Sequence, residues 1–238
     1  MTSKEALKDR AKYCKLDLSD FQLNQFEKYR ELIKEWNQKI DITAITEDKE
    51  IDEKHFLDSL SLTKLSIPYS GKKLIDIGTG GGFPGIPIKI WNPNIKITLL
   101  DSLNKRIVFL NEVIKELELA ESEAIHARAE EAFRDKKHRE KYDIAVSRAV
   151  APLPTLLEYC LPAVKNGGVF IAMKGPGGDE ELANAKNAVE ILGGKIKSVE
   201  HFTWTESKYE RTIIVIEKIK STPKLYPRGQ GKPRKNPL

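Results

Sequence analysis

From Lys72 onward, short apolar runs alternate with helical stretches, and this alternation constrains the fold more than any other feature of the chain. The runs "KKLIDIG", "KITLLD", "EAIHA", "YDIAVSR" and "GGVFIAMK" read as five buried strands, each short and rich in Ile, Leu, Val or Ala. Helices are expected between them at about 84–91, 104–118, 129–134 and 153–164. Strand and helix in strict succession build a parallel sheet with helices on both faces. A further helix is expected near 179–192, closed by Gly193 and Gly194. Two β-rich runs follow, "KIKSVEHFTW" and "RTIIVIEK", with only "TESKYE" between them. Lacking a helix to cross over, they should pair as an antiparallel hairpin.

Residues 1–70 read instead as a helical extension. Ser19, followed three positions later by Gln22, has the form of a capping box. Phe26, Tyr29, Ile33, Trp36 and Ile40 then recur at steps of three and four, which gives one apolar face. A second helix is expected over "EKHFLDSLSLTKL", and Pro68 and Gly71 close the region. The expected organisation is therefore an extension over 1–70, a main domain over 71–219 and a tail over 220–238. The tail, "STPKLYPRGQGKPRKNPL", is rich in Pro and Gly and should be extended or disordered.

A chain of 238 residues, 40% hydrophobic and 32% charged, suits one medium α/β domain with a small addition. No apolar run approaches the roughly 20 residues of a membrane helix, and "MTSKEALKDRAKYCK" has no apolar leader segment. A cytoplasmic protein without a membrane role is the expectation. Cys14 and Cys160 are far apart and outside any CxxC, so neither a metal site nor a disulfide is expected. Cys160 lies in "PTLLEYCLPAV" and reads as core. The formal charge of +5 sits in the tail, where Lys224, Arg228, Lys232, Arg234 and Lys235 face no acid; the body then holds 35 basic and 35 acidic residues. Such a tail suits a polyanionic partner, or is a solvated terminus.

After the first strand comes "GTGGG", with Gly78, Gly80, Gly81 and Gly82. A dinucleotide loop, G-x-G-x-x-G, would place its third glycine where Phe83 stands. Asp76 completes D-x-G-x-G-x-G instead. Bare backbone there lets a ligand approach where a Cβ would block it. An acid beside the loop suits a ligand carrying ammonium and sulfonium cations, and the helix behind suits its carboxylate. This favours S-adenosylmethionine (SAM), which has no phosphate. Asp101, ending the second strand, can accept two ribose hydroxyls, a placement shared with NAD enzymes. Together these observations imply an α/β class I SAM-dependent methyltransferase. Its Rossmann-like sheet would have seven strands, mostly parallel, ending in the hairpin and preceded by the helical extension.

The segments "DIGTGGGFPGIPIKI", "LLDSLNKRIVFL", "ARAEE", "VSRAVAPL" and "YPRGQGKPRKNPL" resemble the RsmG (GidB) family from Trp36 to Leu238. The resemblance implies a bacterial enzyme that methylates N7 of a guanosine in the decoding region (the 530 loop) of 16S ribosomal RNA. It also implies SAM contacts at Gly78, Phe83, Ala129, Glu130 and Arg148. Phe83 either lines the pocket or anchors its helix, and Glu130 either meets the adenosine or caps a short helix. Arg148 reaches the cofactor carboxylate or an RNA phosphate, unless it is a structural ion pair. Asp41 stands where the family often has Asn.

Guanine N7 already presents a lone pair, so no general base is expected. Direct in-line methyl transfer would depend on alignment, with nearby carboxylates or carbonyls easing the positive charge that develops on the purine. Arg148 and Lys174 are the positioning candidates. Lys174 would hold the RNA backbone together with the five tail cations, and Tyr226 stacks on a base or packs on the body. Lys12, Lys15, Lys28, Arg30 and Lys34 either extend a basic surface or form a solvated helix face. His55 and Asp58 are a polar pair near the cofactor or a structural hydrogen bond. The expected partner is 16S rRNA or the small ribosomal subunit, met by a monomer. A small-molecule SAM methyltransferase is the rival.

Overall fold

The computed structural model describes residues 3–148, 150–204 and 209–238. The first helices are α1 (Ser3–Tyr13) and α2 (Asp20–Asn37). After α3 (Asp48–Ile51) comes a π-helical turn (Asp52–Leu57), then α4 (Asp58–Leu60) and a 3-10 turn (Ser61–Lys64). The alternating region follows as β1 (Lys73–Ile77), α5 (Gly85–Trp91), β2 (Lys96–Asp101), α6 (Asn104–Glu116), β3 (Ser122–His126) and α7 (Ala129–Ala132). It continues with β4 (Tyr142–Arg148), α8 (Leu153–Cys160), β5 (Val164–Lys174), α9 (Gly178–Ile191), β6 (Gly194–Trp204), β7 (Tyr209–Lys218) and α10 (Lys232–Lys235). The seven strands run in the order β3-β2-β1-β4-β5-β7-β6. β3 is parallel to β2, and β1, β4 and β5 run parallel as neighbours. β7 lies antiparallel to β5, and β6 antiparallel to β7. The expected α/β architecture with its closing hairpin is therefore present; most of the linker "TESKYE", residues 205–208, lies outside the described residues.

Two compact units divide the chain. The first runs to Gly71 and resumes from Thr79 to His126. The capping box is formed as expected: Ser19 accepts the Gln22 N–H, and the Gln22 side chain accepts the Ser19 N–H. The same Gln22 amide donates to the carbonyls of Ile90 and Trp91, and Gln25 donates to that of Leu117. The otherwise open C-terminal ends of α5 and α6 thus find their donors on α2. Phe26, Tyr29 and Ile33 are fully buried. α2 ends at Asn37, so Ile40 lies beyond the apolar face it was expected to continue. The helix expected over "EKHFLDSLSLTKL" is broken by the π-helical turn, whose Phe56 packs on Phe26 and Tyr29 at centroid distances of 4.9 and 5.4 Å. Arg30 belongs to neither a basic surface nor a solvated face. It is 3% exposed and paired with Asp52, which also meets Arg10.

The second unit comprises Lys72–Gly78 and Ala127–Leu238. Its core is the apolar centres of β1, β4, β5 and β7 under α8 and α9, with Ile75, Ala145, Ile171 and Ile214 fully buried. The helix expected over 153–164 stops at Cys160, and β5 already begins at Val164. The tail corrects the expectation more strongly, since it is neither extended nor disordered. Thr222, Pro227 and Pro233 are buried, and a short helix closes the chain. Arg139 donates to the carbonyls of Tyr226 and Thr222 at 2.7 and 2.8 Å. Composition suggested a free segment because Pro and Gly make no internal hydrogen-bond ladder; here side chains of the body supply the donors instead.

Candidate functional site

In the first unit, the chain leaving Gly78 turns sharply, and the Phe83 N–H donates to the carbonyl of Thr79. Gly80 has φ +60°, and a Cβ built there would meet nothing within 4 Å. Its N–H donates to Asp101 Oδ2 at 2.9 Å, while Asp101 Oδ1 accepts the Leu103 N–H at 2.9 Å. Arg106 lies 3.3 Å from Oδ2. A carboxylate offers about four acceptor positions, and these three donors leave roughly one. Accepting two ribose hydroxyls at Asp101 therefore requires Arg106 to move. Its side chain is 31% exposed and is the only one of the three donors not fixed in backbone. The side of Gly82 is closed, because a Cβ there would fall 2.6 Å from the Tyr29 hydroxyl. Tyr29 itself donates to the carbonyl of Gly81.

Phe83 is 5% exposed and stacks on His55 at 4.3 Å, with the rings 18° from parallel. It also lies 5.5 Å from Tyr29. These contacts make it the anchor between the glycine loop and the π-helical turn. His55 Nε2 bonds Thr43 Oγ1 at 2.8 Å, and Asp58 is fully buried. Asn37 accepts the N–H groups of Ile42 and Thr43, so the loop carrying Asp41 is held from α2 and Asp41 stays exposed.

In the second unit, Asp76 is fully buried on β1 opposite Val146. Ser147 donates to the Ile77 carbonyl at 2.7 Å, tying the ends of β1 and β4. Gly78 has φ +70°, and a Cβ there would lie 2.6 Å from Val150 Cγ2, so backbone and Val150 are in direct contact. Arg148 ends β4, half-buried. Ala129 is buried at the start of α7, and Glu130 beside it is half-buried. Burial, helped by the charge of Glu130, raises the Tyr159 hydroxyl pKa on α8.

Lys174 does not have the placement expected of an RNA contact. It is 5% exposed; its Nζ donates to the Ala151 carbonyl at 2.6 Å and pairs with Glu181 at 2.7 Å. Glu181 also accepts the Leu153 N–H at 2.6 Å. The pair therefore brackets the backbone between β4 and α8. Arg228 is likewise engaged, by a fully buried Glu158, whereas Lys224, Lys232, Arg234 and Lys235 are exposed. Tyr226 packs under Arg228, 5.8 Å from its guanidinium. Cys160 is wholly buried, and burial, followed by the nearby Asp76 charge, pushes its thiol pKa well up. Among the described residues no group of three or more His, Cys, Asp or Glu could hold a metal ion, and no helix is long and apolar enough to cross a membrane.

The family described as GidB, rRNA small subunit methyltransferase G, matches residues 22–213. The chain belongs to the GidB family. A relative from Acetivibrio thermocellus, named ribosomal RNA small subunit methyltransferase G, is 55% identical over 94% of this chain and 91% of its own. One of the same name from Alkaliphilus metalliredigens is 49% identical over the whole of both. Among solved structures, M. jannaschii TYW2 in complex with AdoMet superposes with TM-score 0.56 at 16% identity, over 76% of this chain and 81% of that one. A precorrin-6y methyltransferase from Geobacter metallireducens gives 0.51 at 17%, over 73% and 90%. These two likenesses establish the fold.

Within this GidB chain, the sequence did not single out Val150, Arg106, Glu158 or Glu181, nor the task of the Tyr29 hydroxyl. Tyr29 was legible as part of an apolar face, but its hydroxyl bond to Gly81 spans 52 residues. No local pattern encodes such a partner.

Proposed function

We propose that this protein is a SAM-dependent methyltransferase that modifies N7 of a guanosine in the decoding region of 16S ribosomal RNA. The supporting observation is its 55% identity, over nearly all its length, to a relative named ribosomal RNA small subunit methyltransferase G. The glycine loop fits the cofactor: at Gly80 a bare Cα faces open space, in a backbone conformation that L side chains adopt with strain. Asp101 fixes that loop by its Gly80 bond and, with Arg106 displaced, can take a ribose. Gly78, Ala129, Glu130 and Arg148 stand at carboxyl ends of parallel strands, where α/β sheets take their ligands.

When bound, SAM supplies an electrophilic methyl group. The protein's part is to bind, align and exclude water. Guanine N7 is nucleophilic without losing a proton, so the reaction asks no residue of the chain to act as a base. Cys160, buried and protonated, is no candidate for covalent catalysis. Lys174 and Glu181 fix the backbone at Ala151 and Leu153, close after Arg148, and so hold one wall in place.

The test supplies SAM labelled in its methyl group to small subunits and to deproteinised 16S rRNA, and maps the label by cleavage at 7-methylguanine. A single labelled guanosine in the decoding region is expected. Label on another atom or another RNA, or on free guanosine alone, would overturn the reading.

A further inference from the structure

The chain from Ser221 carries five cations and no acid, yet the structure does not leave it free. Glu158 on α8 is 0% exposed and accepts four bonds from Arg228: the backbone N–H at 2.7 Å, Nε at 2.9 and 3.1 Å, and Nη2 at 2.6 Å. Burying a carboxylate costs free energy unless its acceptor positions are filled; here one residue fills them. Arg228 Nη2 also donates to the Asn236 carbonyl at 2.8 Å, closing residues 229–235 into a loop. Thr155 Oγ1 donates to the Pro233 carbonyl at 2.9 Å, and Arg134 Nε to that of Pro227 at 3.0 Å.

The place of this loop matters. Thr155 and Glu158 hold it along α8, the helix that leaves the carboxyl end of β4. The Arg234 charge acts on the same Tyr159 hydroxyl as that of Glu130, Arg234 lowering its pKa and Glu130 raising it. The loop is thus laid beside the strand ends where this unit's candidate cofactor residues stand.

We propose that the anchored C-terminal loop is a preformed phosphate-binding rim for the RNA substrate. Lys232, Arg234 and Lys235 on the loop, with Lys224 just before it, contact the RNA backbone, and Arg228 serves as the pin and not as a contact. The assignment rests on the RNA-methyltransferase reading above. A polyphosphate chain suits cations presented without interspersed acids. Anchoring the loop beforehand removes much of the ordering entropy that a free tail would lose on binding.

The test uses the full-length protein, filter binding of radiolabelled deproteinised 16S rRNA over a salt series, methyl transfer to the same RNA, and calorimetry with SAM. In the triple variant Lys224→Ala, Lys232→Ala, Lys235→Ala the RNA Kd is expected to rise between tenfold and about a hundredfold near 0.15 M salt. The log–log salt slope should fall by roughly 2–3, at about 0.7–0.9 per lost contact. SAM affinity should stay at the wild-type value. Arg228→Gln leaves those lysines in place and frees the loop, so it should weaken RNA binding while changing the slope by less than one. Wild-type RNA affinity and slope in the triple variant would overturn the rim, and wild-type RNA affinity in Arg228→Gln would overturn its preformed character. If the wild type transfers methyl to RNA while both variants behave like it, only the rim is lost. If the wild type binds this RNA through these lysines but transfers no methyl group, the rim stands and the activity reading is lost.

Discussion

Replacing Lys174 with Met separates a structural lysine from an RNA contact. Met keeps nearly the same length and removes only the ammonium. Two bonds are lost, to the Ala151 carbonyl at 2.6 Å and to Glu181 at 2.7 Å. A hydrogen bond to a charged group contributes about 1.5–3 kcal/mol, and breaking a fully buried ion pair costs about 3–5 kcal/mol. The Glu181 side chain is 34% exposed, so water takes over part of its solvation, and the ion-pair figure must be discounted. About 2 kcal/mol of stability should be lost. For a chain of this size each kcal/mol moves Tm by roughly 2–4 °C, so a fall of about 4–8 °C is expected in a thermal melt followed by circular dichroism. The salt slope of RNA binding should remain that of the wild type. An unchanged Tm, together with a slope reduced by about 0.7–0.9 and a raised RNA KM, would show that Lys174 reaches phosphate and that the bracket around Ala151 and Leu153 is unimportant.

Gly80→Ala should cost about 1–2 kcal/mol in folding, because the residue sits at φ +60°, and should weaken SAM binding at least tenfold by calorimetry; wild-type affinity would remove Gly80 from the ligand's path. Cys160→Ala should retain methyl transfer in the labelling assay, and loss of transfer with SAM binding intact would contradict direct attack by N7. Lys218 is fully buried beside Glu140, and burial pushes its ammonium down from 10.5 to about 8 against the pull of that carboxylate. Its folded pKa lies below the unfolded one, so its contribution to stability is present above about 10.5 and lost as pH falls through about 8. Wild-type stability relative to Lys218→Met should accordingly rise by about 3 kcal/mol between these limits, read from urea melts at stepped pH. A difference that stays flat with pH would refute that assignment.

Much of the architecture was legible because its signals are local. Strands and helices in the alternating region follow from side-chain period and length, and the capping box from a spacing of three residues. The break at the π-helical turn was not legible, because its register is set by packing of Phe56 against Phe26 and Tyr29. Within the candidate site, Gly78, Gly80 and Asp101 followed from position relative to the strands. Phe83 had two readings until its stacking on His55 gave it a structural task.

Taken alone, the amino-acid order determined where the backbone is bare, where it alternates, and which side chains carry charge. It did not determine where those charges go. Arg228 finds Glu158 across 70 residues, Lys174 turns back to Glu181, and Arg30 is drawn inside to Asp52. A residue's type fixes that it is ionised in water. Whether it stays in water, or is desolvated against a particular partner, depends on which distant surfaces the chain brings together, and that is a property of the folded whole.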